Sequence, residues 1–409
     1  MGIEIRSVTE EEAPAWMHAV ANGFGDHIEE DEVLAAFIAE TEIDRTVAGF
    51  DRGRIISSAG AYSLELTLPG GAIIPFGAVT AVTVLPTHRR QGVLTRMMRH
   101  QLDDVRSRGE IVAGLYASES VIYGRFGYGR ATESAAIEID PRYGTFRRPF
   151  KDPGRVEMVD VDTASKVLPD VHDRVRRATT GDINRKAVWW EQFMKDRKDD
   201  RHGGGKRFYV LHHRGTEVDG YAHYRIKNQW SQGFPGSEIW VGEVTATNPE
   251  AEAALWQYIL GVDLITKVTG WNFPVDHDLR WRLADSRRLR VTALVDQTWM
   301  RLVDVPGALA ARRYSVDGDL VLEVNDEFCD WNTGRYLLSG GPDGATCKAT
   351  KKKADIAIDA VDLGSIFLGG VKPSRLARTG RGQELTKGAL ERADAMFVTD
   401  ETPFCRTGY

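Results

Sequence analysis

The segment Val82–Leu94 constrains the fold more than any other part of the chain, and it reads Val-Thr-Val-Leu-Pro-Thr-His-Arg-Arg-Gln-Gly-Val-Leu. An apolar, β-branched stretch is followed by a basic turn that contains glycine, and then by apolar residues at helical spacing. In such a strand–turn–helix unit, the N–H groups of the turn and of the helix N-terminus face an anion. Gly92 permits close approach, and Arg89 and Arg90 add charged donors. The segment predicts a pyrophosphate cradle, against the alternative of a basic turn before an ordinary helix.

Alternating apolar residues and turn signals around this segment predict a mixed α/β domain. Thr9, followed by three glutamates, is typical of a helix start, and a second helix is predicted from Val93. Strands are predicted at 3–8, 46–50, 55–66, 73–84 and 111–117, with Ala131–Ile139 closing the unit.

A second, degenerate copy of this unit is predicted over residues 150–296. The stretch Val244–Glu250 is similar to the strand and turn at Val82, and helical residues follow it. Glu250 and Glu252 stand where the first copy has basic residues and glycine, and acids would repel a pyrophosphate. This copy is therefore not expected to bind one, and coincidence is the alternative to a repeat.

The order of predicted strands and helices no longer follows that of the first two units after about residue 297. Helices are predicted at 305–312, 362–368 and 385–396, strands at 320–324 and 354–358, and a tail over 397–409. A chain of 409 residues suits two or three domains. We therefore predict an α/β protein with domains at 1–149, 150–296 and 297–409.

Bulk composition excludes several classes of protein. The net charge of -6 gives no indication of the basic surface that nucleic-acid-binding proteins usually have. The three cysteines lack metal-ligand spacing, so no metal and no disulfide framework are expected, which suits a reducing cytoplasm. The first residues lack the apolar stretch of a signal peptide, and no apolar run approaches ~20 residues, so no membrane association is expected.

Four motifs together are similar to a known family. The spacing Arg89-x-x-Gly92-x-Leu94 resembles the acetyl-CoA loop of the GCN5-related N-acetyltransferases (GNAT), Gln/Arg-x-x-Gly-x-Gly/Ala, with Leu94 in place of a small residue. With Ala-Ser-Glu at 117–119, Ile-Tyr-Gly-Arg-Phe-Gly-Tyr-Gly at 122–129 and Leu-Gly-Ser-Ile-Phe-Leu-Gly-Gly at 363–370, the chain resembles the enhanced intracellular survival (Eis) family of N-acetyltransferases. The resemblance implies two tandem GNAT folds, the second degenerate, then a sterol-carrier-protein-like domain, assembled as a homo-hexamer (a trimer of dimers).

The same resemblance implies an activity. Such proteins transfer acetyl from acetyl-CoA to amines of aminoglycoside or polyamine-like acceptors, sometimes at several positions, without a metal. One alternative is a protein-lysine N-acetyltransferase, which an open cleft would favour. Another is a lipid- or acyl-carrier-binding protein with a vestigial transferase, which an open apolar tunnel in residues 300–400 would favour.

Site residues are carried over on matching motif positions. Tyr123 is the expected general acid toward the CoA sulfur, because a phenol pKa of ~10 lies close to that of a thiol, ~8.5. The terminal carboxylate of Tyr409 is expected to orient and help deprotonate the amine, and Phe24 and Asp26 to line the acceptor pocket; Tyr128 is taken as structural. The expected acetyl-CoA contacts are Val82, Thr83, Val84, Arg89, Arg90, Gln91, Gly92, Val93, Leu94 and Ser118.

Overall fold

The computed structural model describes residues 2–409. The chain divides into two compact units: one joins the residues up to Thr132 with Asp296–Tyr409, and the other is Glu133–Val295. Within the described residues, none of the helices has the length and apolar character needed to cross a bilayer.

The helices and strands follow the chain in three stretches. The first contains β1 (Glu4–Ser7), α1 (Ala13–Phe24), α2 (Asp31–Glu40), β2 (Val47–Asp51), β3 (Arg54–Thr67), β4 (Ile73–Val84), α3 (Val93–Ser107), β5 (Val112–Tyr116), α4 (Ser120–Tyr123) and β6 (Gly129–Arg130). The second contains β7 (Glu133–Ile139), β8 (Arg155–Val159), α5 (Val161–Ala178), α6 (Ala187–Lys195), β9 (Phe208–Arg214), β10 (Glu217–Lys227), β11 (Trp230–Ser231), β12 (Phe234–Pro235), β13 (Ser237–Ala246), α7 (Pro249–Leu260), β14 (Ile265–Phe273), α8 (Leu279–Arg282) and β15 (Arg290–Asp296). The third contains β16 (Thr298–Leu302), α9 (Val305–Ala311), β17 (Gly318–Asn325), β18 (Gly334–Gly341), β19 (Gly344–Ala349), β20 (Ile356–Asp359), α10 (Ala360–Ile366), α11 (Pro373–Ala377), β21 (Gln383–Glu384) and α12 (Ala389–Phe397).

The first sheet has seven strands in the order β1-β2-β3-β4-β5-β16-β6. Helix α3 covers one face, where Met97 packs with Val47 of β2. Helix α1 covers the other face, where Trp16 packs with Ala48, the next residue of the same strand. Because successive side chains of a strand point to opposite faces, α1 and α3 enclose the sheet from both sides.

A strand exchange links the first and last thirds of the chain. The sequence predicts that Ala131–Ile139 closes the first unit, and this is wrong: β7 lies in the second sheet, between β15 and β14. Its expected place is taken by β16, which pairs antiparallel with β5 from Thr298↔Tyr116 to Leu302↔Val112. An alternating pattern predicts a strand and its buried face, but it does not specify the sheet that the strand joins.

The second sheet repeats this plan in the order β15-β7-β14-β13-β10-β9-β8. Its one parallel pair in the described registers is β13 with β14, and α7 connects these two strands as α3 connects β4 to β5. The predicted repeat is therefore present as a second sheet. The division at 149/150 and 296/297 stays a prediction, since strand exchange separates the sheets at other residues.

The third stretch forms a five-stranded sheet, β19-β18-β17-β20-β21, with four helices. Its helix α10 packs against β16 and β6 of the first sheet. Two glycines permit this contact: a Cβ at Gly129 would collide with the carbonyl oxygen of Val361, and one at Gly364 with that of Met300. Both glycines belong to the motifs that carry the family resemblance, so part of that signal reflects close packing.

A buried ion pair joins β16 of the first sheet to the residue that follows β17. Arg301 of β16 donates to both carboxylate oxygens of Asp326, at 2.8 and 2.6 Å, and both side chains are almost fully buried. Asp326 also accepts the Cys329 N–H at 2.9 Å and the Asn332 side-chain amide at 3.1 Å. The carboxylate is thus fully hydrogen-bonded, as a buried charge requires.

We expect Arg301→Met to destabilise the first unit by about 3–5 kcal/mol, because it leaves the Asp326 charge buried without its partner. The matched control is Arg335→Met, since Arg335 pairs with Glu323 on the surface and such pairs contribute ~0–1 kcal/mol. Denaturant unfolding followed by tryptophan fluorescence compares the two variants. Equal losses in both would contradict the role assigned to the buried pair.

Candidate functional site

Strands β4 and β5 separate part of the way along the first sheet. In the described residues they pair in parallel from Gly77↔Ala113 to Val79↔Leu115, while β4 continues to Val84. Ala81 has φ 53°, and the register with β3 shifts between Ser58 and Gly60, so a bulge bends β4 at this point. The result is a wedge whose β4 side presents backbone N–H and C=O groups, as the edge of a sheet does.

Val82 and Val84 of β4 line this wedge through their backbone, whereas alternation along the strand turns the backbone of Thr83 toward β3. The side chains of Val82 and Val84 pack under α3 with Val93 and Met97. The Thr83 hydroxyl is 2.8 Å from the Ser58 hydroxyl and is held inside the fold. Val82 and Val84 can therefore offer main-chain hydrogen bonds to an extended ligand, which would pair with β4 as an added strand does.

The basic turn leads directly to an uncapped helix N-terminus. Gly92 is the N-cap of α3, with φ 76° and no side-chain hydrogen bond to the first turn. Arg90 also has positive φ, at 63°. Arg89 Nε donates to the Val84 carbonyl at 3.0 Å, and Gln91 donates weakly to Thr87 at 3.4 Å. The first-turn N–H groups, the helix dipole and two exposed guanidinium groups are the kind of donors and charge that can bind an anion.

The corresponding helix of the second sheet is built differently. Asn248 caps α7, and its side-chain oxygen accepts the Ala251 N–H at 2.9 Å. Glu250 and Glu252 lie in the first turn and already complement the helix dipole. A self-capped, acidic N-terminus disfavours an anion at α7.

Tyr123 is the last residue of α4 and is buried, at 4% exposure. Burial raises the pKa of its phenol, and a hydrogen bond with Ser118 opposes that rise. Ser118, predicted as a cofactor contact, is thus placed beside Tyr123. The phenol remains protonated at neutral pH and is able to donate a proton.

Tyr128 lies 6.3 Å from Tyr123 between ring centroids, in an edge-to-face arrangement. It is fully buried, and its hydroxyl has no hydrogen-bond partner among the described residues. Burial raises the pKa of Tyr128, while the nearby charge of Arg301 opposes the rise. Its environment is that of a packing residue, with the phenol held neutral.

The end of the chain lies at the tip of β5. Phe404, Cys405 and Thr407 are buried. The Tyr409 ring packs edge-on against Tyr116 at 4.9 Å and against Phe76 of β4 at 6.1 Å, between centroids. The tail is therefore anchored on the two strands that separate to form the wedge.

Tyr116 is the residue of this site that sequence reasoning missed. Its hydroxyl donates to the Thr407 carbonyl at 2.8 Å, across 291 positions of sequence. It ends an ordinary apolar strand, and no local pattern distinguishes it from a core tyrosine.

Phe24 and Asp26 lie at the C-terminal end of α1. Gly23 lets this end approach β4, because a Cβ there would collide with Thr83. Phe24 is 60% exposed. The Asp26 carboxylate accepts the His27 N–H at 2.8 Å. Their assignment to an acceptor pocket stays a prediction.

The site contains no evident metal centre. Across residues 2–409, the structure has no group of three or more His, Cys, Asp or Glu side chains placed to hold an ion.

Comparisons with known proteins agree with this architecture. Residues 4–131 and 181–302 each match an acetyltransferase (GNAT) domain family, and residues 305–406 match the sterol carrier protein domain family. The two acetyltransferase matches confirm that the second sheet is a repeat of the first. The predicted fold class, two GNAT folds followed by a sterol-carrier-like domain, is thereby confirmed.

Full-length relatives extend the likeness to the whole chain. An N-acetyltransferase of Streptomyces coelicolor is 37% identical over 414 residues, covering 100% of both chains. The N-acetyltransferase Eis of Mycobacterium tuberculosis is 31% identical and 98% of each chain is covered. The crystal structure of Eis1 from Mycobacterium abscessus superposes with a TM-score of 0.88 at 34% identity, over 100% of both chains. The chain therefore belongs to the Eis family of GNAT N-acetyltransferases, enzymes that transfer an acyl group to an amine.

Proposed function

We propose that this enzyme transfers acetyl from acetyl-CoA to primary amines of aminoglycoside or polyamine-like acceptors. One observation carries the proposal: the wedge between β4 and β5 adjoins the uncapped N-terminus of α3 and receives the tail that ends at Tyr409. A donor with a pyrophosphate and an extended arm matches the first two features. A cationic acceptor matches a terminal carboxylate.

The donor half of the site matches acetyl-CoA in its chemical groups and in the sequence in which those groups follow one another. The first-turn N–H groups of α3, with Arg89 and Arg90, supply donors and charge for a pyrophosphate. The backbone of β4 at Val82 and Val84 supplies strand-like hydrogen bonds for the amides of a pantetheine arm. Acetyl-CoA, when bound, supplies an acyl group activated as a thioester.

Three proton transfers accompany the reaction of an ammonium acceptor. The nitrogen loses one proton before it attacks the thioester and a second as the amide forms, and the terminal carboxylate of Tyr409 orients the amine while water takes up both protons. Burial keeps the Tyr123 phenol protonated until it donates to the departing sulfur, and one of the released protons then restores the phenol. Because a free carboxylate has a pKa of ~3.5, orientation of the amine is the larger part of its contribution.

The acceptor class rests on charge and on the exposed aromatic ring. Asp26 and the terminal carboxylate supply negative charge for an acceptor with several ammonium groups, and Phe24 offers an apolar surface. A protein-lysine acceptor is the second candidate of the same class. The cleft in the third stretch, of about 730 Å³, is lined by charged residues such as Asp319, Lys353 and Arg392, which does not favour a lipid ligand there.

Assembly and location stay predictions of the family resemblance. We propose a homo-hexamer arranged as a trimer of dimers, in the cytoplasm, with no nucleic-acid partner. Light scattering of the purified protein tests the hexamer directly, because a monomer of 45.5 kDa and a hexamer differ sixfold in mass.

The decisive assay follows CoA release with a thiol reagent. Acetyl-CoA is offered with kanamycin-type aminoglycosides, spermidine or a lysine peptide. Release with multi-amine sugars or spermidine supports the proposal. Release with the peptide alone favours the protein-lysine alternative, and CoA binding without release from any amine contradicts both.

Replacing Tyr123 with phenylalanine should lower kcat by about 10²-fold or more, the range for loss of a positioned general acid. The KM for acetyl-CoA should stay unchanged, since the ring remains in place. Tyr128→Phe is the matched control from the same motif. Its kcat should stay near that of the parent, because the Tyr128 hydroxyl has no hydrogen-bond partner within residues 2–409. Equal losses in the two variants would contradict the assignment.

Replacing Arg89 with alanine should raise the KM for acetyl-CoA about tenfold, because a charge-assisted hydrogen bond contributes ~1.5 kcal/mol or more. The value of kcat should change little. Added salt should reduce the difference in KM between the variant and the parent, because salt screens the charge of Arg89. Arg155→Ala, on β8 of the second sheet, is the control for a general loss of positive charge. An unchanged KM in Arg89→Ala would exclude Arg89 from the donor site.

Adding Gly-Ser after Tyr409 displaces the carboxylate from the site while leaving the Tyr409 side chain in the sequence. We expect kcat to fall at least about tenfold, since a misplacement of 1 Å at a reacting group costs up to ~10²-fold. The thermal unfolding midpoint should not change. The same two residues added before Met1 serve as the control, and full activity of the extended tail would refute the role of the terminus.

A further inference from the structure

We propose that Tyr116 is a positioning residue that holds the chain terminus in the acetyl-transfer site. Its phenol fixes the Thr407 carbonyl, two residues before the carboxylate that is assigned to the amine. The inference rests on the proposed function of that carboxylate, and it assigns Tyr116 an effect through the tail and none through contact with either substrate.

The contacts converge on one short segment. The Tyr116 hydroxyl donates to the Thr407 carbonyl at 2.8 Å, and the Cys405 thiol donates to the same oxygen at 3.3 Å. The Tyr409 ring lies 4.9 Å from the Tyr116 ring at an interplanar angle of 68°. One side chain thus binds both the backbone before the terminus and the terminal side chain.

The position of Tyr116 is fixed by the strands on either side of β5. Tyr116 is the last residue of β5, and it pairs with Thr298 of β16 on one side. Leu115, the residue before it, is the last to pair with β4. Tyr116 therefore stands where the wedge opens, and its position is set by the sheet. A terminus without such an anchor would be expected to fray.

The hydroxyl is a constant donor over the working pH range. Burial raises the pKa of the Tyr116 phenol well above 10, and the neighbouring Cys405 and Tyr409 groups raise it further. The phenol consequently keeps its proton, and its bond to Thr407 does not titrate with the reaction.

The experiment is a double-mutant cycle between Tyr116→Phe and deletion of Tyr409. Tyr116→Phe keeps the ring and removes one hydroxyl. In the full chain we expect kcat to fall about tenfold, with an unchanged KM for acetyl-CoA, because a small displacement of a reacting group is costly. In the chain that lacks Tyr409, Tyr116→Phe should have no further effect on kcat.

Two additional readouts separate positioning from folding. The matched control is Tyr336→Phe, since the Tyr336 hydroxyl also donates to a backbone carbonyl, that of Asn332, at 3.0 Å. It should lose stability without loss of kcat. Hydrogen–deuterium exchange of residues 403–409 should accelerate in Tyr116→Phe. The pH profile of kcat should move to lower pH, because the amine loses the carboxylate that stabilises its charged form and so raises its pKa.

The outcomes distinguish this inference from the function on which it rests. If deletion of Tyr409 slows the enzyme but Tyr116→Phe does not, or if the two losses multiply, the positioning role is overturned and the tail keeps its function. Deletion of Tyr409 moves the terminal carboxylate back to Gly408. If this deletion leaves kcat unchanged, the function proposed for the carboxylate at Tyr409 fails, and the positioning role fails with it.

Discussion

The separation of β4 from β5 beyond Val79 is the constraint on which the rest of the site depends. A bulge at Ala81 turns β4 away, so that its backbone edge stays open inside a continuous sheet. An open edge within a sheet is costly unless something pairs with it. The wedge is therefore a place for an extended ligand, and the elements around it either hold the wedge open or line it.

The third stretch of the chain is part of this construction. Strand β16 supplies the neighbour of β5, and the Arg301–Asp326 pair joins β16 to the residue after β17. The close contact of Gly129 with Val361 places α10 beside the same strands. The tail then returns to the tip of β5. A sterol-carrier-like fold thus supports the acetyltransferase sheet.

Local patterns in the sequence were sufficient for most elements of the first fold, but they did not predict helix α2 at Asp31–Glu40. The bounds of β4 at Ile73–Val84 and the start of α3 at Val93 follow from apolar spacing and from the turn before the helix. The exchange of β7 for β16 was not predictable, since strand pairing is a long-range property and both segments have strand-like patterns. The hairpin β18–β19 was missed as well.

The same limit applies to the site. Residues that act through local backbone, such as Gly92 and Arg89, are visible in a turn motif because their geometry is set by adjacent residues. The role of Tyr116 could not be predicted from a local motif, because its hydrogen-bond partner Thr407 lies 291 positions away in the sequence. The assignment of Tyr123 needed the family resemblance, since a tyrosine in a glycine-rich turn is equally well explained by packing.

The two tandem folds contain an internal comparison of stability and function. Helix α7 begins with Asn248, whose side chain satisfies a first-turn N–H, whereas α3 begins with Gly92 at φ 76° and has no such bond. Compared with a glycine, an asparagine at the N-cap contributes roughly a few tenths of a kcal/mol, so α3 lacks a small stabilisation that α7 has. A local deficit of this kind in an otherwise well-packed helix is expected at a functional site, where the missing partner is supplied by a ligand. The N-terminus of α3 thus leaves backbone donors for the pyrophosphate of the proposed donor, whereas the acidic, self-capped N-terminus of α7 leaves fewer of them and repels an anion.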